Sequence, residues 1–332
     1  MVSIHKNIFL TSISFQEKAL QVFHYQRENN AVYGRFCKAL GIVNPQSIHE
    51  IPLLPIQAFK EKDLLTVDGE QCDTDSMLYF QSSGTSSMKR SRHYILNPEM
   101  YRNSILLGMK EFYDLEDFVI LAYTPGYSSN PNSSLIWMLN TLIEAEKSGL
   151  SRFLELNAPL VQQEIDKIEA SGKRLMLFGA AFGLLDLLEI SEVSIPKNTI
   201  VMETGGMKTF RREMTKSELH NTLAEGFDLP LSQIHSEYGM AELLSQAYTL
   251  GGERFTCVPW MNVSVRKWGN PLEEVAVGEE GLIGVMDLAN VNSCSFILTG
   301  DKGIKHEDGS FEVLGRWNPP NLRGCKFLID RD

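Results

Sequence analysis

Asp117-Phe118-Val119-Ile120-Leu121-Ala122-Tyr123 decides the fold of this chain. Its apolar run reads as a strand, and the residues around it repeat one pattern of strand, turn and helix. A helix is predicted over 134–143, its start capped by Asn132 or Ser133. Arg174-Leu175-Met176-Leu177-Phe178-Gly179 reads as a second strand, with a helix over 182–190. Thr199-Ile200-Val201-Met202-Glu203 reads as a third, leading to a helix over 211–224. This alternation predicts an α/β fold, a doubly wound and mostly parallel sheet with helices on both faces.

Towards the N-terminus, residues 15–39 carry apolar positions at helical spacing and predict one or two helices packed outside a core. Ile51-Pro52-Leu53-Leu54-Pro55-Ile56 is extended by its prolines, and Met77-Leu78-Tyr79-Phe80 reads as a buried strand. After about Gly251 the pattern changes to short strands and Gly/Pro turns, at 261–267, 281–288, 295–298 and 310–314. The expected division is an α/β lobe with an N-terminal helical segment over 1–250 and a β-rich lobe over 251–332. No separate mobile C-terminal domain is expected.

The bulk properties exclude several classes. At 332 residues, 43% hydrophobic and 22% charged, the composition is that of a globular protein with a large core. A net charge of -11, without a basic stripe, argues against a nucleic-acid partner. No stretch approaches the roughly 20 apolar residues of a membrane span, and the N-terminal apolar run is too short for a signal peptide. Five scattered cysteines (Cys37, Cys72, Cys257, Cys294, Cys325) lack CxxC spacing, against a disulfide framework or structural zinc and for a cytoplasmic location.

Ligands of doubly wound sheets sit at the carboxyl ends of the strands, so the turns there carry most weight. Gln81-Ser82-Ser83-Gly84-Thr85-Ser86-Ser87-Met88-Lys89-Arg90 follows the apolar stretch ending at Phe80. Its backbone N–H groups, small hydroxyls and basic residues suit triphosphate oxygens, with Ser83, Gly84, Thr85, Ser86 and Lys89 as candidate ligands. Glu203-Thr204-Gly205-Gly206-Met207-Lys208 offers paired glycines, Gly205 and Gly206, to a flat ring or a phosphate. Ser236-Glu237-Tyr238-Gly239-Met240-Ala241-Glu242 offers Tyr238, Gly239 and Met240 to a purine, and Glu242 to Mg2+ held against phosphate oxygens. In Leu298-Thr299-Gly300-Asp301, Asp301 suits two ribose hydroxyls, and Arg316 of Gly315-Arg316 suits ribose or the α-phosphate. Taken singly, each acid reads more readily as a surface charge or turn former, and the glycine pair as a plain turn.

In this order the motifs resemble those of the adenylate-forming superfamily of acyl-activating ligases. The closer resemblance is to the LuxE family of acyl-protein synthetases. It is carried by Ile51-Pro52-Leu53-Leu54-Pro55-Ile56 with Phe59-Lys60, Ser82-Ser83-Gly84-Thr85, Ser91-Arg92-His93-Tyr94, Ser133-Ser134-Leu135-Ile136, Thr204-Gly205-Gly206-Met207-Lys208, Glu237-Tyr238-Gly239-Met240, Leu314-Gly315-Arg316 and Arg323-Gly324-Cys325. The resemblance spans about residues 50–328 and gives Cys325 the role of acyl-accepting thiol. Neighbouring Arg323 and Lys326 favour its thiolate. The pattern departs from the superfamily at Ala241, where a threonine is usual, and at Ser87, where a glycine is usual. The superfamily's C-terminal lysine has no evident counterpart after Arg316.

The resemblance implies a cytoplasmic enzyme that uses ATP and Mg2+ to convert a carboxylic acid, fatty by analogy, to acyl-AMP. The acyl group then passes to Cys325 and on to an acceptor protein such as an acyl reductase. Residues 121–127 and the helix from Ser134 are expected to line the acid pocket. Two other readings stand beside this one: an acyl- or aryl-CoA ligase of the same fold, and a catalytically weak nucleotide-binding subunit.

Overall fold

The computed structural model describes residues 2–68, 73–82, 90–125, 130–205 and 214–317. The chain forms two compact units, and neither is one continuous stretch. The first comprises residues 1–104, 240–245 and 257–332, the second residues 105–239 and 246–256. The division expected near residue 250 is therefore corrected, and the reason lies in strand pairing. Leu54–Pro55 runs parallel to Phe296–Lys305 in one sheet, so the N-terminal and C-terminal segments share a core.

The second unit is built on a seven-stranded sheet. In spatial order its strands are Thr256–Cys257, Ala247–Tyr248, Ile234–Tyr238, Ile200–Thr204, Arg174–Ala180, Phe118–Tyr123 and Arg152–Phe153. The last five are mutually parallel, and Ala247–Tyr248 runs antiparallel to Ile234–Tyr238. Val119, Leu121, Leu175, Leu177 and Val201 share one apolar cluster with Leu184 and Leu223 of the helices Ala181–Ile190 and Lys216–Gly226. The alternate residues Ile120, Met176 and Met202 are buried too, outside that cluster. Both faces of these strands are covered, which is why their sequences are continuous apolar runs. Helix Ser134–Ala145 is capped by the Ser133 hydroxyl, which accepts from Ile136 N. The expected helix over 211–224 is Lys216–Gly226. Its first turn is fixed by a capping box in which the Thr215 hydroxyl accepts from Glu218 N and the Glu218 carboxylate accepts from Thr215 N.

The first unit carries a mainly antiparallel five-stranded sheet. Met261–Arg266, Glu280–Asp287 and Phe296–Lys305 pair in sequence, Phe311–Arg316 adds to the last, and Leu54–Pro55 lies on its far edge. These are the short strands expected after Gly251, with the third running on to Lys305 and the fourth to Arg316. Helices Phe15–Asn29 and Ala31–Ala39 are separated by Asn30, whose extended backbone ends one while its side chain caps the next. Expected outside a core, they are part of it. Gln26 is fully buried and donates to the carbonyls of Asn290 (2.9 Å) and Val291 (3.0 Å), and the Tyr33 ring stacks on Phe296 at 5.6 Å. The strand expected at 77–80 is the short, half-buried Tyr79–Gln81, paired antiparallel with Arg92–Tyr94. Among the described residues no helix is long and apolar enough to cross a membrane.

Candidate active site

In the first unit, the hairpin of Tyr79–Gln81 and Arg92–Tyr94 brings the two ends of the hydroxyl-rich loop together, with Ser91 N donating to Ser82 Oγ at 3.3 Å. The Ser91 hydroxyl donates to Glu242 Oε1 at 2.5 Å. Burial raises the Glu242 carboxyl above its ordinary range, and the Ser91 bond, with the charges of Arg316 and Lys60, pulls it back. The main chain here is held as firmly. His93 Nδ1 lies 2.9 Å from the Ala241 carbonyl, and Asn290 Nδ2 donates to the Glu242 carbonyl at 2.8 Å. Burial pushes His93 down to about 4, so its ring is neutral near pH 7 and Nδ1 is the donor.

Asp287 anchors the same segment a few residues further on. Its carboxylate accepts from Leu244 N (2.7 Å), Ser245 N (3.0 Å), the Ser245 hydroxyl (2.5 Å) and Ala289 N (3.1 Å). A buried carboxylate with four donors is a rigid peg for the chain that bears Glu242.

Asp301 and Arg316 meet across the strand pair. Their register is Asp301 opposite Arg316, and Arg316 Nε lies 2.9 Å from Asp301 Oδ1. Thr299 bonds the Ile283 carbonyl and accepts from Asp301 N, which fixes the turn of the Thr-Gly-Asp motif. Asp301 is buried and Arg316 exposed, so the acid is preset and the guanidinium faces solvent. Glu242, Asp301 and Arg316, drawn from three separate motifs, thus belong to one charged cluster of the first unit.

The second unit holds the other two turns at the carboxyl ends of neighbouring parallel strands. Thr204 stands opposite Glu237 in the register, and its hydroxyl donates to the Glu237 carboxylate. Gly205 follows with a φ of 77°, a left-handed backbone that glycine adopts without strain. Gly239 packs close to the same acid: a Cβ there would lie 2.3 Å from Glu237 Oε1 and force that carboxylate to shift. Tyr238 is buried with its ring 5.8 Å from Phe255, so this turn offers the backbone of Gly239 and Met240 more than an aromatic face. Behind it His220 Nε2 contacts Ser236 Oγ (3.1 Å) and Glu203 Oε1 (3.4 Å).

Burial lifts Glu237 to about 7, with the Thr204 hydroxyl opposing the shift and Glu203 adding to it. The folded protein therefore keeps a proton that the unfolded chain has released. This carboxyl costs nothing below its ordinary range and destabilises progressively as pH rises towards 7. Glu237→Gln is expected to match wild type near pH 5 and to exceed it near pH 8, by at most about 3 kcal/mol. Urea midpoints at the two pH values check this; equal differences at both would remove Glu237 from the titration.

Of the predicted ligands, Ser83, Gly84, Thr85, Ser86, Lys89, Gly206 and Cys325 lie outside the described residues. Ser91, His93, Thr204, Glu237, Asp287 and Asn290 received no individual role from sequence. Ser91 and His93 stood in a stretch already singled out, directly after the loop. Asp287 and Asn290 carry no comparable signal, because the partners that tie them to the Glu242 segment are more than forty positions away. No group of three or more His, Cys, Asp or Glu able to cage a metal occurs among the described residues. Glu242 instead fits a cation shared with substrate phosphates, since Mg2+ commonly takes one or two carboxylates and completes its shell with phosphate and water.

Solved structures that share the fold include a 2-hydroxyisobutyryl-CoA ligase in complex with its acyl-AMP and CoA (TM-score 0.63, 13% identity, 91% of this chain and 69% of that one). ATP-bound MatB from Rhodopseudomonas palustris matches at a TM-score of 0.51 and 13% identity, over 76% of this chain; the chain spans 50% of that protein's length. Two curated relatives are long-chain-fatty-acid–luciferin-component ligases. The one from Vibrio harveyi is 25% identical, over 93% of this chain and 85% of the relative, and the one from Aliivibrio fischeri 26%, over 92% and 85%. The model of the family described as acyl-protein synthetase, LuxE, matches residues 12–332, and the chain is a member of that family.

Proposed function

We propose that the protein activates a long-chain fatty acid with ATP and passes the acyl group through Cys325 to an acceptor protein, such as an acyl reductase. The acid's carboxylate attacks the α-phosphorus of ATP, forming acyl-AMP and releasing pyrophosphate. The Cys325 thiolate then attacks the acyl carbonyl, forming a thioester and releasing AMP. The convergence of Glu242, Asp301 and Arg316 in one cluster is the observation that supports this most. In this reading Asp301 accepts from the ribose hydroxyls while Arg316 holds its carboxylate in place. A magnesium ion, when bound, neutralises phosphate charge, and Glu242 is the carboxylate that would hold it. Ser91, His93, Asn290 and Asp287 fix Glu242 before substrate arrives, and such preorganisation lowers the barrier to a reaction made mostly of positioning and charge stabilisation. The names of the curated relatives support a long-chain acid and a protein recipient.

ATP–pyrophosphate exchange with a panel of fatty acids tests the first step. Exchange with no acid of any length would return the chain to the nucleotide-binding reading. Asp301→Ala is expected to weaken ATP binding at least about tenfold, some ~1.4 kcal/mol, because both ribose hydroxyls lose their acceptor. Unchanged ATP affinity by titration calorimetry would take Asp301 out of the nucleotide site.

A further inference from the structure

Phe59-Lys60 is the one stretch of the sequence pattern to which no chemistry has yet been attached, and the fold brings it to the charged cluster. Leu54–Pro55 runs parallel to the strand that bears Asp301, with Pro55 opposite Leu298 and Ile56 N donating to the Leu298 carbonyl at 2.9 Å. Both segments therefore head towards the same end of the sheet, where Thr299-Gly300-Asp301 lies. A helical turn, Ala58–Glu61, then stops the first segment there. Ala58 and Phe59 are buried, and the Phe59 ring meets the His93 ring edge-on at 5.5 Å. His93 in turn holds the Ala241 carbonyl, and Ser91, two residues before it, holds the Glu242 carboxylate.

Phe59 is thus an anchor that fixes where Lys60 begins. The Lys60 side chain is half-exposed, and it makes no hydrogen bond or ion pair among the described residues. Among the described residues, its ammonium and the Arg316 guanidinium are positive charges that act on Glu242. A half-exposed cation on a segment packed against the residues that hold Glu242 is placed for an anion that arrives with the substrate.

We propose that Lys60 binds the phosphate chain of ATP, and of the departing pyrophosphate, beside Glu242. The assignment rests on the adenylation reading and names a further ligand of that site. The bland alternative is a solvated surface lysine.

Titration calorimetry with ATP, pyrophosphate and AMP on the full chain separates the two. Lys60→Gln is expected to weaken ATP and pyrophosphate about tenfold or more while AMP affinity hardly changes, since AMP lacks the phosphates that Lys60 meets. Lys60→Arg is expected to retain most of the ATP affinity, because charge rather than packing is needed. Unchanged ATP affinity in Lys60→Gln, or equal loss of ATP and AMP, overturns the assignment. Wild-type protein that binds ATP but never exchanges pyrophosphate overturns the adenylation reading and leaves Lys60 as a phosphate ligand. Wild-type exchange alongside an unaffected Lys60→Gln variant overturns Lys60 alone.

Discussion

Supplied with ATP, Mg2+ and a radiolabelled long-chain acid, Cys325→Ser is expected to run ATP–pyrophosphate exchange at the wild-type rate and to acquire no label that neutral hydroxylamine removes. Adenylation precedes thiol attack, so only the second step is lost. The wild type is expected to carry the label as a thioester. Other thiols are poor substitutes: burial pushes Cys37 up to about 11 and both Cys257 and Cys294 up to about 12, so none of the three is a thiolate near neutral pH. Replacing them, or Cys72, is expected to leave the label in place. A hydroxylamine-labile label on Cys325→Ser would move the acyl site elsewhere. Wild-type protein that makes acyl-CoA and never labels would replace the protein thioester with the coenzyme.

Glu242→Gln is expected to slow adenylation by about two orders of magnitude or more, with a raised requirement for Mg2+. The substitution keeps the shape and a carbonyl oxygen that accepts from Ser91, so the fold is expected to survive. What it removes is the negative charge opposite Arg316 and Lys60. Because Glu242 is buried, the neutral amide relieves desolvation, and the melting temperature is expected to hold or rise. A stable variant with wild-type exchange at ordinary Mg2+ would make Glu242 a structural carboxylate.

The parallel sheet was legible because strands buried on both faces announce themselves. Val119-Ile120-Leu121-Ala122 and Leu175-Met176-Leu177-Phe178 contain no polar residue to confuse the reading. Ile234–Tyr238 went unread for the opposite reason. His235, Ser236 and Glu237 look unsuited to a buried strand, yet each is satisfied, by Tyr113, His220 and Thr204 respectively. The motif residues Asp301 and Arg316 were legible one at a time, whereas their ion pair depends on a strand register no local pattern states. The two-unit division was not legible at all, since Leu54–Pro55 finds its partner far along the sequence. The helix was expected from 211 although its capping box, Thr215 with Glu218, stands in the sequence and marks a start at Lys216.

That distant pairing matters when the chain is being made. On a ribosome adding roughly 5–20 residues per second, Leu54–Pro55 emerges about 240 residues before its partner, a wait on the order of tens of seconds. Gln26 and Tyr33 wait with it, since the groups they bury against lie at Asn290, Val291 and Phe296. Residues 105–239, by contrast, hold most of one compact unit in a single run and are synthesised in the interval. The order of birth is thus the reverse of the order of completion: helices made early are among the last to find their core. Nascent chains halted before residue 290 would expose the apolar faces of residues 15–39 to chaperones and proteases.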